Sequence, residues 1–179
     1  MFSSNEGYAF TNKGSRKEQN GAVSFVKHIY TFTSKKSNQT YIIEVDEFQE
    51  FLLFAIKFYL KAHRHSDFKF NHCTNLQEAP SCISTCINVM LALHDKNPYH
   101  SFAFIGAASA NEPKHNTKRF RLYKKVMGAV FSPVHFKHFQ HFASSTYLML
   151  NKLNMTSDIA LREKIESFFL AHYDLALED

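Results

Sequence analysis

Apolar and polar positions alternate along the first third of the chain. Residues 23–33 read as a strand with Val23, Phe25 and, after a shift, Tyr30 and Phe32 as inward positions. A polar turn at residues 35–39 follows, and residues 40–45 return with Tyr41, Ile43 and Val45 on one face, which is hairpin patterning. Upstream, residues 8–10 read as a short strand and residues 14–21 (GSRKEQNG) as a polar loop. Residues 47–61 fit two periods. Phe48, Phe51, Leu52, Ala55, Ile56, Tyr59 and Leu60 suit a helix, whereas Phe54, Ile56, Phe58 and Leu60 alternate with Ala55, Lys57, Tyr59 and Lys61 as in a strand. The aromatic density predicts a short turn or helix over 47–52 and a strand over 54–61.

Helical periodicity takes over further on. Residues 78–94 carry an apolar stripe of Cys82, Cys86, Val89, Met90 and Leu93, and Pro98 closes the region. Residues 101–106 (SFAFIG) read as a short strand and 107–116 as a small-residue loop; a basic helix runs from 118 to about 131. After Ser132 and Pro133 the spacing predicts another helix through Phe142, with His135, His138 and His141 bordering inward phenylalanines. A strand at 147–150 and an amphipathic helix at 157–173, with Leu161, Ile165, Phe168 and Phe169 inward, complete the chain. This order predicts a single α+β domain, strand-rich over 1–75 and helix-rich over 76–179, with an acidic helix at 157–175. Its sheet is expected to be mixed, mainly antiparallel and of about five strands, packed against three to four helices.

Composition narrows the class. With 179 residues and 45% hydrophobic content the chain can bury a sizeable core, and 5 glycines and 4 prolines argue against disorder. Three cysteines, two of them at helical spacing, argue against a disulfide framework. No apolar run approaches the roughly 20 residues that span a bilayer, and the first residues lack a basic segment followed by an apolar one, so a cytoplasmic protein without membrane partners is expected. From Met155 onward six acids face two bases, so the net charge of +5 divides into +9 for the first 154 residues and −4 for the rest. A basic body can attract nucleic acid, a phosphorylated ligand or an acidic protein surface, or can be neutralised by its own tail.

Candidate chemistry begins at residues 116–125 (NTKRFRLYKK), where cations crowd the first turns of the basic helix. Each costs up to roughly 1 kcal/mol at that end of the helix dipole unless an anion answers it. On a helical wheel Lys118, Arg121, Lys124 and Lys125 share the polar side, with Phe120, Leu122, Tyr123, Val126, Met127 and Val130 opposite. Arg119 falls on the apolar side and must be paired there. The first expectation is a structural ion pair with Glu112, Asp67 or Glu44, and the second is a cleft that meets a ligand. Residues 106–110 (GAASA) would expose backbone N–H groups ahead of the helix. Neither GxxxxGK[ST] nor GxGxxG occurs, so no Walker or Rossmann nucleotide site is supported.

A second cluster spans residues 57–73. Lys57, Lys61, His63, Arg64 and His65 could extend a cationic groove, with Tyr59 or Tyr123 as stacking surfaces. Histidine and lysine are also the types a metal-independent ribonuclease or phosphodiesterase would use. His-rich surface loops without catalysis are commoner. His63, His65, Asp67, His72 and Cys73 do not follow a zinc spacing, so neither a metal nor another cofactor is expected.

The strings at residues 56–59 (IKFY) with Lys61, His63 and Ser66, at 101–107 (SFAFIGA), at 116–121 (NTKRFR) with Tyr123, and Tyr147 and Leu148 with Asn151 and Lys152, resemble a family of small uncharacterised bacterial proteins. The resemblance covers most of the chain after Thr31. It implies one α+β domain and a strand at 56–59, and it carries no activity, cofactor or site; Leu60 stands where the family has proline. The residues therefore point to a surface binding nucleic acid or a phosphorylated ligand through Lys118, Arg119 and Arg121, extended by Lys57, Lys61, His63, Arg64 and His65. A module for an acidic protein partner is the alternative, and a metal-independent nuclease the third reading.

Overall fold

The computed structural model describes residues 7–72, 78–155 and 160–175. Cys73, and residues 157–159 of the expected last helix, lie outside that set. Four strands come first, β1 (Phe10–Asn20), β2 (Val23–Thr33), β3 (Thr40–Phe48) and β4 (Leu53–Leu60), with a 3-10 turn at Gln49–Phe51 before β4 and another at Lys61–His63 after it. Helix α1 (Ala79–Lys96), strand β5 (Ser101–Ile105), helix α2 (Lys118–Val130), strands β6 (Phe136–His141) and β7 (Thr146–Asn151), and helices α3 (Lys152–Met155) and α4 (Leu161–His172) follow.

The class is α+β, but the sheet has seven strands rather than about five, in the order β1-β2-β3-β4-β5-β7-β6. Neighbours pair antiparallel except β4 and β5, which are parallel with Leu53 opposite Ser101 and Ile56 opposite Phe104. The chain reaches β5 through α1, the long crossover that a parallel pair requires. The expected strand at 54–61 and the turn before it are present.

Both additional strands are edges that the pattern disguises. Residues 14–20, expected as loop, belong to β1, whose side chains are exposed apart from Phe10 and Glu18, so burial imposes no alternation on them. A bulge between Asn12 and Ser15 carries Gly14 at φ 101°, and Gly21 turns the chain into β2 at φ 58°. Residues 136–141, expected as helix, form β6. Their three-residue recurrence of Phe and His is a coincidence of a two-sided strand, since Phe136 joins the core on one face of the sheet and Phe139 packs on the other.

Helices α1 and α2 cover one face through Cys82, Cys86, Val89, Met90, Phe120, Tyr123 and Met127, against Tyr41, Ile43, Val45, Phe54, Ile56, Phe102, Phe104 and Met149. Helix α4 covers the other face through Leu161, Ile165 and Phe169, against Phe48, Leu53, Ala55, Ala103, Leu148 and Leu150. Coverage on both faces explains why Leu53, Phe54, Ala55 and Ile56 are all buried, and why the central strands read as continuous apolar runs.

Two polar groups in this framework set its response to acid. Glu78, just before α1, is buried, and its carboxylate accepts from the hydroxyls of Ser34, Ser37 and Tyr41. Burial alone would raise its pKa, but these donors outweigh it and hold the carboxyl below its ordinary value of 4.5. His100 stacks on Phe54 at 4.4 Å, and burial pulls its imidazole below 6.5 although Glu47, at 3.4 Å, opposes the shift. In both cases the unfolded chain takes up the proton first, so the contribution to stability is lost as pH falls. The denaturation midpoint is therefore expected to decline in two stages, one beginning near pH 6.5 and one below about pH 4.5. His100→Gln should reduce the first stage, which His138 and His172 share through their own burial-depressed imidazoles. A midpoint that rises on acidification through the first window would contradict this account.

Candidate functional site

Strands β4 and β5 end side by side, and beyond their carboxyl ends lies a crevice of about 610 Å³. Lys57 and Phe58 of β4 form one wall, and Ile105 with Gly106, Ala107 and Ala108 after β5 form another. Arg119 and Tyr123 enter from α2, Phe70 and Asn71 from the loop after β4, Ala143 and Ser144 from the β6–β7 turn, and Tyr173 from the end of α4. Carboxyl ends of parallel strands are where open sheets commonly hold ligands, because the connections diverge there and leave room.

The end of β5 is locked to the start of α2. Thr117 Oγ1 donates to the Gly106 carbonyl at 2.5 Å and accepts from Phe120 N at 3.1 Å, capping the helix. Thr117 N donates to Ser145 Oγ at 3.0 Å, which ties the β6–β7 turn to the same point. Glu112 accepts from Lys118 N at 2.7 Å and from Ser109 N at 2.9 Å, and these backbone donors hold its carboxyl below the ordinary value. The anion that answers the crowded cations at the helix start is thus the chain's own Glu112. The backbone N–H groups expected to be open to a ligand are correspondingly occupied at Lys118, Phe120 and Ser109.

Arg119 overturns the first expectation for it. Neither Glu112, Asp67 nor Glu44 pairs with its guanidinium, and no carboxylate among the described residues lies within ion-pair distance. Its Nη1 donates to the Phe70 carbonyl and its Nη2 to the His72 carbonyl at 2.7 Å. The half-buried cation therefore pins the loop after β4 against α2 through neutral acceptors, and it lines the crevice. Exposed Lys114, also lining the crevice, has no ion pair among the described residues.

Lys57 behaves differently. Its Nζ lies 2.5 Å from Asp46 Oδ2, which also accepts from Tyr173 Oη at 2.7 Å. Asp46 and Glu44 are buried on the α4 face of β3, surrounded by Lys27, Lys57 and Lys69. Tyr59 donates to Glu44 at 2.8 Å beneath Lys69, whose Nζ sits 4.3 Å from the Tyr59 ring centroid. Tyr59 is thus committed to this network and does not line the crevice.

Three of the expected site residues, Lys57, Arg119 and Tyr123, converge on the crevice. The others do not line it. Lys61, Arg64 and His65 are exposed, with Arg64 Nε 2.8 Å from His65 Nε2, and His63 stacks on His72 at 4.1 Å. Lys118 and Arg121 lie on the outer side of α2, where Arg121 donates to the Asn116 carbonyl. Asp46, Lys114, Phe70 and Tyr173 were not expected at the site. Asp46 had a readable signal, since it shares a strand face with Glu44 opposite the inward Tyr41, Ile43 and Val45, and two acids on a central strand need cations. Among the described residues no group of three or more His, Cys, Asp or Glu side chains could hold a metal ion. No helix among them is long and apolar enough to cross a membrane.

No family model, no curated protein and no solved structure matches the chain.

Proposed function

We propose that the protein binds a phosphorylated small molecule in the crevice at the ends of β4 and β5. The observation that carries this reading is Arg119, a half-buried guanidinium whose partners among the described residues are two carbonyls and which opens on a cavity of about 610 Å³. Two carbonyls fix its orientation without cancelling its charge, which leaves a preorganised cation for an anionic group. Lys114 adds a second positive charge, exposed Asp174 is the acid that also lines the crevice, and Lys57, neutralised by Asp46, shapes the wall. The volume lies within the range of small-molecule sites, and Phe58, Phe70, Ile105, Tyr123 and the alanines give the predominantly apolar lining such sites have.

Calorimetric titration with inorganic phosphate, ribose 5-phosphate and a nucleoside 5′-monophosphate tests this. Losing a hydrogen bond to a charged group is worth roughly 1.5–3 kcal/mol, so Arg119→Ala is expected to weaken binding roughly 10- to 150-fold. Lys114→Ala should weaken it less and leave the melting temperature unchanged, separating charge from folding. Absence of binding by any of the three probes would defeat the proposal.

Nucleic acid is the second reading, favoured by the exposed Lys61, Arg64, His65, Lys118 and Arg121. Arg119 holds the loop after β4 against α2. Fluorescence anisotropy with single-stranded RNA should then show a steep salt dependence that a Lys118→Ala/Arg121→Ala variant reduces. Unchanged binding in that variant would remove this reading.

A further inference from the structure

We infer that Tyr123 is the specificity residue of the crevice, its hydroxyl reserved for a polar atom on the organic part of a phosphomonoester whose body is aromatic. This rests on the phosphate reading of the crevice and adds the class of molecule attached to the phosphate.

Tyr123 is 6% exposed and lines the crevice one turn after Arg119, its ring 5.6 Å from that of Phe104. Among the described residues its hydroxyl has no hydrogen-bond partner. Among the buried tyrosines of the sheet, Tyr30 likewise has no hydrogen-bond partner among the described residues but does not line the crevice, whereas three others are committed. Tyr41 donates to Glu78, Tyr59 donates to Glu44, and Tyr147 is bonded to His138. The Tyr123 hydroxyl is not sealed from solvent, so it costs the free protein little, and phenylalanine, used 19 times in this chain, would fill the same space and forgo only the contact the hydroxyl offers in the crevice. At Tyr123, unlike Tyr30, the crevice is where a partner can arrive.

Burial also pushes the Tyr123 phenol well above its ordinary value, with Arg119 opposing, so it stays protonated and is available to donate. The lining beside it favours a flat molecule. Phe58, Phe70, Tyr123 and Tyr173 all border the crevice, and aromatic walls gain most from an aromatic ligand. Arg119 and Lys114 take the charged end, which leaves Tyr123 and these rings for the rest.

The test compares the wild-type protein with Tyr123→Phe and Arg119→Ala, titrating a nucleoside 5′-monophosphate, ribose 5-phosphate and inorganic phosphate, and recording melting temperatures without ligand. Tyr123→Phe is expected to melt at the same or a higher temperature, and to bind the nucleotide about tenfold more weakly, as loss of one neutral hydrogen bond implies. Its affinity for inorganic phosphate should be unchanged. Arg119→Ala should weaken all three probes. A lower melting temperature in Tyr123→Phe would mean that the hydroxyl serves the fold, and would overturn the inference. So would unaltered nucleotide affinity, or wild-type binding of ribose 5-phosphate as tight as that of the nucleotide. If no probe binds, the phosphate reading itself has failed. Failure of the inference alone is recognised by Arg119-dependent phosphate binding that is indifferent to Tyr123.

Discussion

Replacing Asp46 with alanine is expected to destabilise the protein by roughly 3–5 kcal/mol, because it removes the acid from a buried ion cluster and leaves its cations behind. Asp46 is 1% exposed, and its Oδ2 takes both the Lys57 ammonium and the Tyr173 hydroxyl. Lys27, with Nζ 3.8 Å from Oδ1, loses one of its three acids but keeps Glu18 and Glu44. Lys57 has no other carboxylate within ion-pair distance among the described residues, so the penalty centres on it. Urea denaturation gives the value. The double variant Asp46→Leu/Lys57→Leu should recover a substantial part of the loss, because it deletes the stranded charge together with its partner. A single-variant loss under about 1 kcal/mol would show that Lys57 reaches water easily, as surface pairs do.

The second large effect is expected at Gly106. A Cβ built there meets Phe120 N at 2.5 Å, Phe120 Cβ at 2.7 Å and Phe120 Cα at 2.8 Å. Two of these are backbone atoms of the first turn of α2, which cannot rotate away. Gly106→Ala must therefore push α2 off the end of β5, straining the Thr117 bond to the Gly106 carbonyl. The expected loss is at the upper end of the roughly 1–3 kcal/mol typical of overpacking. Arg119 and Tyr123 ride on the displaced helix, so affinity for a crevice ligand should fall with stability. Gly128, in the same helix with open space around it, is the control. Alanine there should stabilise by about 0.5–1 kcal/mol, as in any exposed helix interior. Equal melting temperatures for the two variants would refute the close-approach argument.

Elements with one face against the core were readable from their pattern. Tyr41, Ile43 and Val45, the Cys82 to Leu93 stripe, and Leu161, Ile165 and Phe169 all pack where their periodicity implies. Strands β1 and β6 were not, since an edge strand can be polar on both sides or apolar on both, and its hydrogen bonds to a distant neighbour leave no trace in local spacing. The candidate site divides in the same way. Arg119 was legible because a guanidinium on an apolar helix face demands an explanation. Its actual partners, the carbonyls of Phe70 and His72, were not, because carbonyl acceptors are present at every residue and only folding selects among them. Glu112 was named as a partner for the Arg119 side chain, whereas it serves the backbone at the start of the same helix. The crevice joins segments more than 100 residues apart, from Lys57 to Tyr173, and no periodicity encodes such a meeting.

Strand β1 is also an edge of the sheet. It is eleven residues long and, among the described residues, bonded to β2 on one side only, so it presents an open ladder of the kind that recruits strands from other molecules. Lys13, Arg16 and Lys17 stand along it, and the bulge at Gly14 breaks its regular spacing. A second copy docking edge to edge would bring these like charges together across a ladder that is out of step. The polar composition that hides β1 as a strand thus discourages the sheet from continuing into fibrils.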